Sequence, residues 1–266
     1  MKLYYTKKLS RYACVVFGTA LLLAGCKGKD GDPGPAGPVG PSGQNLTGNM
    51  TGFVNSVDEN GIQLAKTGVV VALDGVTPAV TATSDADGRF TLSNVRNGTY
   101  NITYSRTGYG TFRRIGVGHV GGDQATFLGT STVSQVSTQT ITNLTNGPSS
   151  PTIINLSLTV ASPVPTNTFR VAFFASASPN PTPATGSLIT SVTFGSGGTP
   201  TTSYPTTFSI SRLSLNNAGF ASGTTVYLTA FGATSFFASY PDITTGRTVF
   251  PTFNTTSSPV ITVVVP

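Results

Sequence analysis

Side chains that could carry out chemistry are few in this 266-residue sequence, which contains two cysteines and one histidine. His119 stands between glycines in "GVGHVGG", where we expect an exposed or edge-strand residue, and no second histidine or free cysteine completes a metal site or a Cys-His pair. No Gly-x-Ser-x-Gly segment follows a predicted strand and precedes a helix. Most acidic residues beyond residue 50 stand in predicted turns, which does not favour a facing pair of catalytic carboxylates. The sequence therefore predicts a protein that is not an enzyme and that needs no metal or cofactor.

Cys26 is the residue whose position most clearly indicates a chemical modification. It follows a basic segment and an apolar run over residues 13–24, which is too short to span a bilayer but typical of a secretory signal peptide. The segment Leu23-Ala24-Gly25-Cys26 resembles the bacterial lipobox. That resemblance implies a signal peptide over residues 1–25 and a lipid on the Cys26 sulfur, so that the mature chain has a membrane as its partner. A signal peptide with an incidental cysteine is the alternative.

The positive charge of the chain lies largely in this leader. The whole sequence carries 15 Lys and Arg against 9 Asp and Glu, but four of the cations precede residue 26, which leaves a net charge of +2 beyond it. Nucleic-acid binding needs a clustered basic face, which this distribution does not provide. We therefore expect no nucleic-acid partner.

Residues 26–50 are predicted to form an extended linker. From Gly28 the sequence reads GKD, GDP, GPA, GPV, GPS and GQN, with glycine at every third position as a collagen triple helix requires. Six triplets give few hydrogen bonds between chains, so a monomeric polyproline-II spacer is favoured over a trimer. Such a spacer would reach on the order of 55 Å from a lipid anchor.

The residues just after Cys26 carry charge of both signs. Lys27, Lys29, Asp30 and Asp32 resemble the export signal of Bacteroidetes lipoproteins that reach the outer face of the outer membrane. The resemblance implies a lipid-anchored location at the bacterial outer membrane, with surface exposure. An ordinary solvated linker is held equally open.

Beyond residue 50 the sequence predicts an all-β fold of two tandem β-sandwiches. Apolar and polar residues alternate over Phe90–Ser93 and Tyr100–Tyr104, and again over Ile154–Val160, which is typical of strands with one buried face. Gly-containing turns separate these short strands. No segment shows a sustained helical period.

The first block carries a turn motif, Asp85-x-x-Gly88-x-Phe90, followed by Gly98-Thr-Tyr100. Together with "GFVNSVDENGIQLAKTGVVVALDG", these residues resemble the carboxypeptidase regulatory-like domain, a prealbumin-like β-sandwich, over residues 51 to about 122. The resemblance implies that Asp85 caps backbone donors, that Gly88 adopts a positive φ and that Phe90 enters the core. It implies fold-defining roles and no catalysis. A calcium loop beginning at Asp85 is the less favoured alternative.

The boundary between the two sandwiches is predicted at Gly147–Pro151, where the sequence reads "GPSSP". This places residues 51–146, with "TITNLTN" as a last strand, in the first sandwich. Residues 151–266 then form a second sandwich, which resembles the immunoglobulin or fibronectin type III class in segments such as "TTVYLTA".

A stretch over residues 233–250 contains the aromatic residues Phe236, Phe237 and Tyr240 close to turn signals. Aromatic side chains in a sandwich loop could form a binding platform. The favoured alternative is that the rings seal the end of the second sandwich. We expect Phe237 to seal the core and Tyr240 to be exposed, with Phe236 and Tyr240 as the residues of a possible binding loop.

Two classes of function remain open from the sequence. The favoured one is a non-enzymatic cell-envelope lipoprotein that displays its sandwiches for adhesion, with a glycan or protein as ligand. The fold of the resembling family is grouped with carbohydrate-binding-like sandwiches, but this grouping alone does not transfer a ligand. The alternative is a structural envelope component without a dedicated ligand, trimeric through the collagen-like stalk.

Overall fold

The computed structural model of the chain describes residues 46–161, 168–195, 203–236 and 238–266. Residues Asn45–Pro266 form one compact unit. The predicted signal peptide, Cys26, the Gly-X-Y segment and Phe237 lie outside the described residues. Within them, no helix is both long and apolar enough to cross a membrane.

The first part of this unit is a sandwich of two sheets, so the all-β fold predicted from the alternating pattern is confirmed. The long strand β1 is flanked by β2 and β5 on one side and, in parallel, by β8 on the other. The second sheet has the order β4-β3-β6-β7. The strands are β1 (Thr47–Val57), β2 (Gln63–Leu64), β3 (Val70–Leu73), β4 (Thr81–Thr83), β5 (Arg89–Arg96), β6 (Gly98–Ser105), β7 (Phe112–His119) and β8 (Thr126–Ser134).

Alternate residues of these strands fill the first core because successive side chains point to opposite faces of a sheet. Met50 and Val54 of β1 point inward, as do Phe90 of β5 and Tyr104 of β6. The Tyr104 ring meets Phe90 edge-on at a centroid distance of 5.9 Å. Met50, Val54 and Phe90 each stabilise the fold by about 1.5–3 kcal/mol through burial.

The second part pairs a three-stranded sheet, of order β13-β10-β9, with a four-stranded sheet, of order β12-β11-β14-β17. Phe173 of β11 stacks on Phe208 of β13 at 5.3 Å, so rings from the two sheets meet in the core. Among the described strands, β15 and β16 pair only with each other and form a separate two-stranded ribbon. The elements are β9 (Thr140–Asn146), β10 (Ile153–Ala161), β11 (Thr168–Ser176), β12 (Ser187–Gly195), β13 (Ser203–Ser211), α1 (Arg212–Asn217), β14 (Thr225–Ala233), β15 (Tyr240–Pro241), β16 (Thr248–Val249) and β17 (Ile261–Val264).

Strand β9, the segment "TITNLTN", belongs to the second sandwich and not to the first. It pairs antiparallel with β10, with Leu144 opposite Leu158. Both Ile141 and Leu144 are buried in the second core. The chain therefore crosses between the sandwiches at residues 135–139, before the Gly147–Pro151 turn, which instead joins β9 to β10.

The connection from β14 to β17, residues 234–260, covers the outer face of the four-stranded sheet. Phe174 and Phe231 point outward from that sheet, yet both are buried. Phe250 and Phe253 of the connection stack on each other at 5.0 Å and meet the Phe174 ring edge-on. Aromatic residues of this region thus do seal the second sandwich, but the described rings that seal it are Phe250 and Phe253.

Candidate functional site

The turn Asp85–Phe90 is held by its own side chain and backbone. The Asp85 Oδ1 atom accepts hydrogen bonds from the amides of Asp87, at 3.0 Å, and Arg89, at 2.8 Å. Gly88 has φ of 82°, and a Cβ atom there would lie 2.2 Å from the Val54 carbonyl oxygen. Phe90 is buried in the first core. This geometry uses the carboxylate of Asp85 to build a turn, so these residues serve the fold.

The next motif residues also fix a strand end. The Tyr100 hydroxyl donates a hydrogen bond to the Arg96 carbonyl at 2.8 Å and thereby closes the turn between β5 and β6. A Cβ atom on Gly98 would lie 3.4 Å from the Tyr100 ring, so the ring packs against the glycine. Both contacts are structural.

His119 is the last residue of β7, at the edge of its sheet, but it is buried rather than exposed. Its Nε2 atom lies 3.1 Å from the Val95 carbonyl oxygen and its Nδ1 atom 2.7 Å from the Thr126 hydroxyl. The imidazole therefore joins the ends of three strands. Across the described part of the chain, no cluster of three His, Cys, Asp or Glu residues could hold a metal ion.

The two sandwiches are joined by polar and backbone contacts. The Glu59 carboxylate accepts hydrogen bonds from the Thr138 amide and hydroxyl, and the Glu59 carbonyl accepts one from the Ser235 amide at 2.7 Å. A Cβ atom on Gly110 would lie 2.4 Å from the Pro251 carbonyl oxygen, so two backbones touch at this point. The connection 234–260 is therefore fixed to the first sandwich as well as to the second.

A groove of about 430 Å³ lies where the edge of the first sandwich meets this connection. We call it the junction groove. Phe236, with 39% of its surface exposed, forms one wall together with Ala238 and Ser239. The opposite wall belongs to β7 and β8, and is formed by Phe112, Arg114, Thr130, Ser131 and Thr132.

The groove combines an exposed ring with groups that can form hydrogen bonds. Arg114 is held in place because its guanidinium donates a hydrogen bond to the Leu128 carbonyl. Thr130, Ser131 and Thr132 of β8 line the same concave space as Phe236. Such a combination suits non-covalent binding of a ligand that has both apolar and polar faces.

Tyr240 lies beside this groove but is half-buried rather than exposed. Its ring meets the Phe112 ring edge-on at 6.4 Å, and so joins β15 to β7 of the first sandwich. Burial raises the pKa of its hydroxyl, an effect that Arg113 opposes and that Asp242 and Asp74 reinforce. Tyr240 therefore packs the junction between the sandwiches, and of the two residues expected in a binding loop only Phe236 presents its ring.

Sequence reasoning identified Phe236 but missed Phe112, Arg114 and the β8 hydroxyls. These residues precede Phe236 by more than one hundred positions. Only the docking of the two sandwiches brings them together, and no local pattern reports that docking.

Comparison with known families confirms the resemblance of the first block. Residues 49–159 match the model of the carboxypeptidase regulatory-like domain family. The matched stretch covers the first sandwich from β1 onward and continues through β9 and most of β10. Among curated proteins, none matches the sequence significantly.

Several solved structures are similar at low identity. A candidate carbohydrate-binding protein from Bacteroides uniformis is 11% identical, with 82% of this chain and 99% of that chain covered and a TM-score of 0.28. A DUF3823 family protein from Bacteroides ovatus is 12% identical, with 83% and 100% covered and a TM-score of 0.30. A chain of a type II cohesin-X-dockerin complex from Acetivibrio cellulolyticus is 20% identical, with a TM-score of 0.28. That alignment covers 34% of this chain and spans 58% of the cohesin-dockerin chain. Sequence identities and TM-scores this low support no inference about ligands or activity.

Proposed function

We propose that this protein is a non-catalytic, lipid-anchored binding protein of the bacterial outer membrane that displays the junction groove to an extracellular glycan or protein. The observation that carries this proposal is the exposed Phe236 side chain, which lies across a groove from hydroxyl-bearing residues of β8. An exposed ring adds large rigid contact area at small entropic cost. The groove is therefore the surface best suited to a ligand with apolar and hydroxylated faces.

The junction between the sandwiches supports this role because it holds both walls in place. The Phe236 wall is anchored on either side, through the Ser235 amide to the Glu59 carbonyl and through the Tyr240 ring to Phe112. The β8 wall is part of the first sheet, in parallel pairing with β1. Walls that are already positioned lose little entropy on binding, which favours affinity.

The anchoring part of the proposal rests on the sequence before residue 46. Cleavage before Cys26 and lipid attachment to its sulfur would fix the mature N-terminus in a bilayer. The Gly-X-Y linker would then act as a monomeric spacer that carries residues 46–266 away from the membrane. Lys27, Lys29 and the two aspartates after them support transfer to the outer face of the outer membrane.

A glycan array probed with residues 27–266 tests the groove. We expect binding to one class of glycan that the variant Phe236→Ala loses. Ile243→Ala is the matched control because Ile243 is 63% exposed in the same connection but does not line the groove. Loss of binding in both variants, or retention in Phe236→Ala, would show that the groove is not the binding site.

A further inference from the structure

A second aromatic surface lies on the outer face of the β5-β1-β8 sheet, and we call it the sheet-face platform. Phe53 of β1 and Phe127 of β8 meet edge-on at a centroid distance of 6.2 Å. The Arg89 guanidinium of β5 lies over the Phe53 ring at 5.7 Å. Three adjacent strands thus each contribute one large side chain to the same place.

These residues stand where alternation would ordinarily place only polar side chains. Outward positions beside them carry Thr51 and Thr91, in keeping with a sheet that has one solvated face. Phe127 is nevertheless 66% exposed, although its burial in a core would be worth about 1.5–3 kcal/mol. The exposed Phe127 ring, packed against the half-buried Phe53 ring, is therefore a candidate contact surface.

Backbone irregularities bring the two rings together. The β1–β8 register pairs Thr51 with Phe127 but Phe53 with Thr130, so one extra residue on β8 forms a bulge, where Gly129 has φ of 70°. On β1, a Cβ atom on Gly52 would lie 3.0 Å from the Gly129 carbonyl oxygen and 2.8 Å from the Phe90 ring. The missing side chain of Gly52 therefore lets the bulge approach. The result is a shallow hollow of about 270 Å³ between the rings, Arg89 and the two threonines.

The charge of the platform defines the ligand class. Among the described residues, the Arg89 side chain has neither an ion pair nor a hydrogen-bond partner, and the Phe53 ring is its neighbour. A guanidinium held against a ring keeps its fork of N–H donors free for a carboxylate. A second copy of this chain is disfavoured because a two-fold contact places the same patch on both subunits and brings two Arg89 charges together.

We propose that the sheet-face platform binds an acidic polysaccharide built from hexuronate sugars. The apolar face of a sugar ring would pack on Phe127 and Phe53, its carboxylate would bind Arg89, and its hydroxyls would meet Thr51 and Thr91. This inference rests on the proposed function only in that the protein binds ligands outside the cell. The site and the ligand charge are separate from those of the junction groove.

Affinity electrophoresis of the full-length protein in detergent, in native gels containing polygalacturonate, tests the proposal. We expect the wild type to be retarded, and Arg89→Gln and Phe127→Ala each to weaken binding by about tenfold or more. Methyl-esterified polygalacturonate offers the same sugar without its charge and should retard the wild type much less. Absence of retardation of the wild type, or equal retardation by both polymers, would overturn the proposal.

Arg96→Gln is the matched control because Arg96 is exposed at the far end of the same strand and its loss removes the same charge. This variant should bind as the wild type does, and a weakening equal to that of Arg89→Gln would show unspecific charge attraction instead.

Phe236→Ala separates the two sites. If it abolishes binding while Arg89→Gln and Phe127→Ala do not, the platform proposal fails and the groove proposal stands. If Arg89→Gln and Phe127→Ala abolish binding while Phe236→Ala does not, the platform proposal is supported, and the groove proposal still depends on the glycan array. Sedimentation of the wild type should show a monomer. A dimer that the Phe127→Ala substitution dissociates would contradict the proposal.

Discussion

The Glu59 carboxylate binds Thr138 through both of its oxygen atoms. Its Oε2 accepts from the Thr138 amide at 2.7 Å and its Oε1 from the Thr138 hydroxyl at 2.6 Å. The two residues are far apart in sequence: Glu59 lies in a turn of the first sandwich, and Thr138 lies in the crossing that leads to β9. This pair therefore fixes the start of the second sandwich to a turn of the first.

Replacing Glu59 by Ala should weaken this connection. Hydrogen bonds to a charged group contribute about 1.5–3 kcal/mol each, so with partial exposure we expect a loss of about 2 kcal/mol in unfolding free energy. Urea denaturation measures the loss, and faster hydrogen exchange at the Thr138 and Ser235 amides would locate it. Asp123→Ala, at an exposed position of the first sandwich, should have little effect. Equal losses in the two variants would contradict a specific role for Glu59.

Gly88 offers a test of the turn that precedes β5. A Cβ atom there would meet the Val54 carbonyl at 2.2 Å, whereas at Gly75, with φ of 71°, nothing lies within 4 Å. Gly88→Ala should therefore destabilise the protein by about 3 kcal/mol or more, while Gly75→Ala should cost only the backbone strain of about 1 kcal/mol. Thermal denaturation of both variants compares the two costs. Similar melting temperatures would show that the Val54 contact is not rigid.

The turn around Gly88 also shows how much of the fold the sequence predicts. The spacing of Asp85, Gly88 and Phe90 is a local property, and so is the alternation that identifies buried residues such as Ile102 and Tyr104. Strand β9 shows the limit of such patterns. Its alternation correctly predicts a strand, but the choice of sheet depends on pairing with β10, which the alternation does not encode.

The two proposed binding surfaces are harder to predict for the same reason. Phe236 was identifiable because it lies near other aromatic residues, but the opposite wall of the groove comes from β7 and β8. The Phe53–Phe127 contact likewise depends on parallel pairing between strands separated by the whole first sandwich. Contacts between distant segments depend on tertiary packing, and a single sequence contains no periodicity that reports it.

Phe253 should be among the residues on which the second sandwich depends most. It is 5% exposed and stacks on Phe250 above Phe174. Phe253→Ala would leave a cavity over the outer face of the sheet and should cost about 3–5 kcal/mol. Ile243→Ala, in the same connection but 63% exposed, should change stability by less than about 0.5 kcal/mol. Urea denaturation distinguishes these values, and a loss below about 1 kcal/mol for Phe253→Ala would show that the connection does not seal the sheet.

If Cys26 carries a lipid, replacing this residue should change the membrane association of the protein. Cys26→Ala removes the sulfur that would carry the lipid, so the protein should move from the membrane fraction to the soluble fraction. Detergent phase partitioning of the wild type and the variant measures this change. Cys14→Ala, within the apolar run of the leader, should leave the membrane association as it is. Unchanged partitioning of Cys26→Ala would rule out an anchor at that residue.

Because of Tyr240, the free energy of unfolding should decrease at alkaline pH. Burial raises the pKa of its hydroxyl in the folded protein, so the folded state keeps this proton at pH values where the unfolded chain has lost it. The stabilisation is therefore fully present below the ordinary tyrosine pKa of about 10 and decreases as the pH rises through the folded-state pKa. Tyr240→Phe keeps the ring contact with Phe112 but cannot ionise. We expect the difference in unfolding free energy between wild type and Tyr240→Phe to stay constant up to about pH 10 and then to shift in favour of the variant. Urea denaturation at a series of pH values measures this difference. If the unfolding free energies of wild type and variant change in parallel up to about pH 11, the hydroxyl is as exposed in the folded protein as in the unfolded chain.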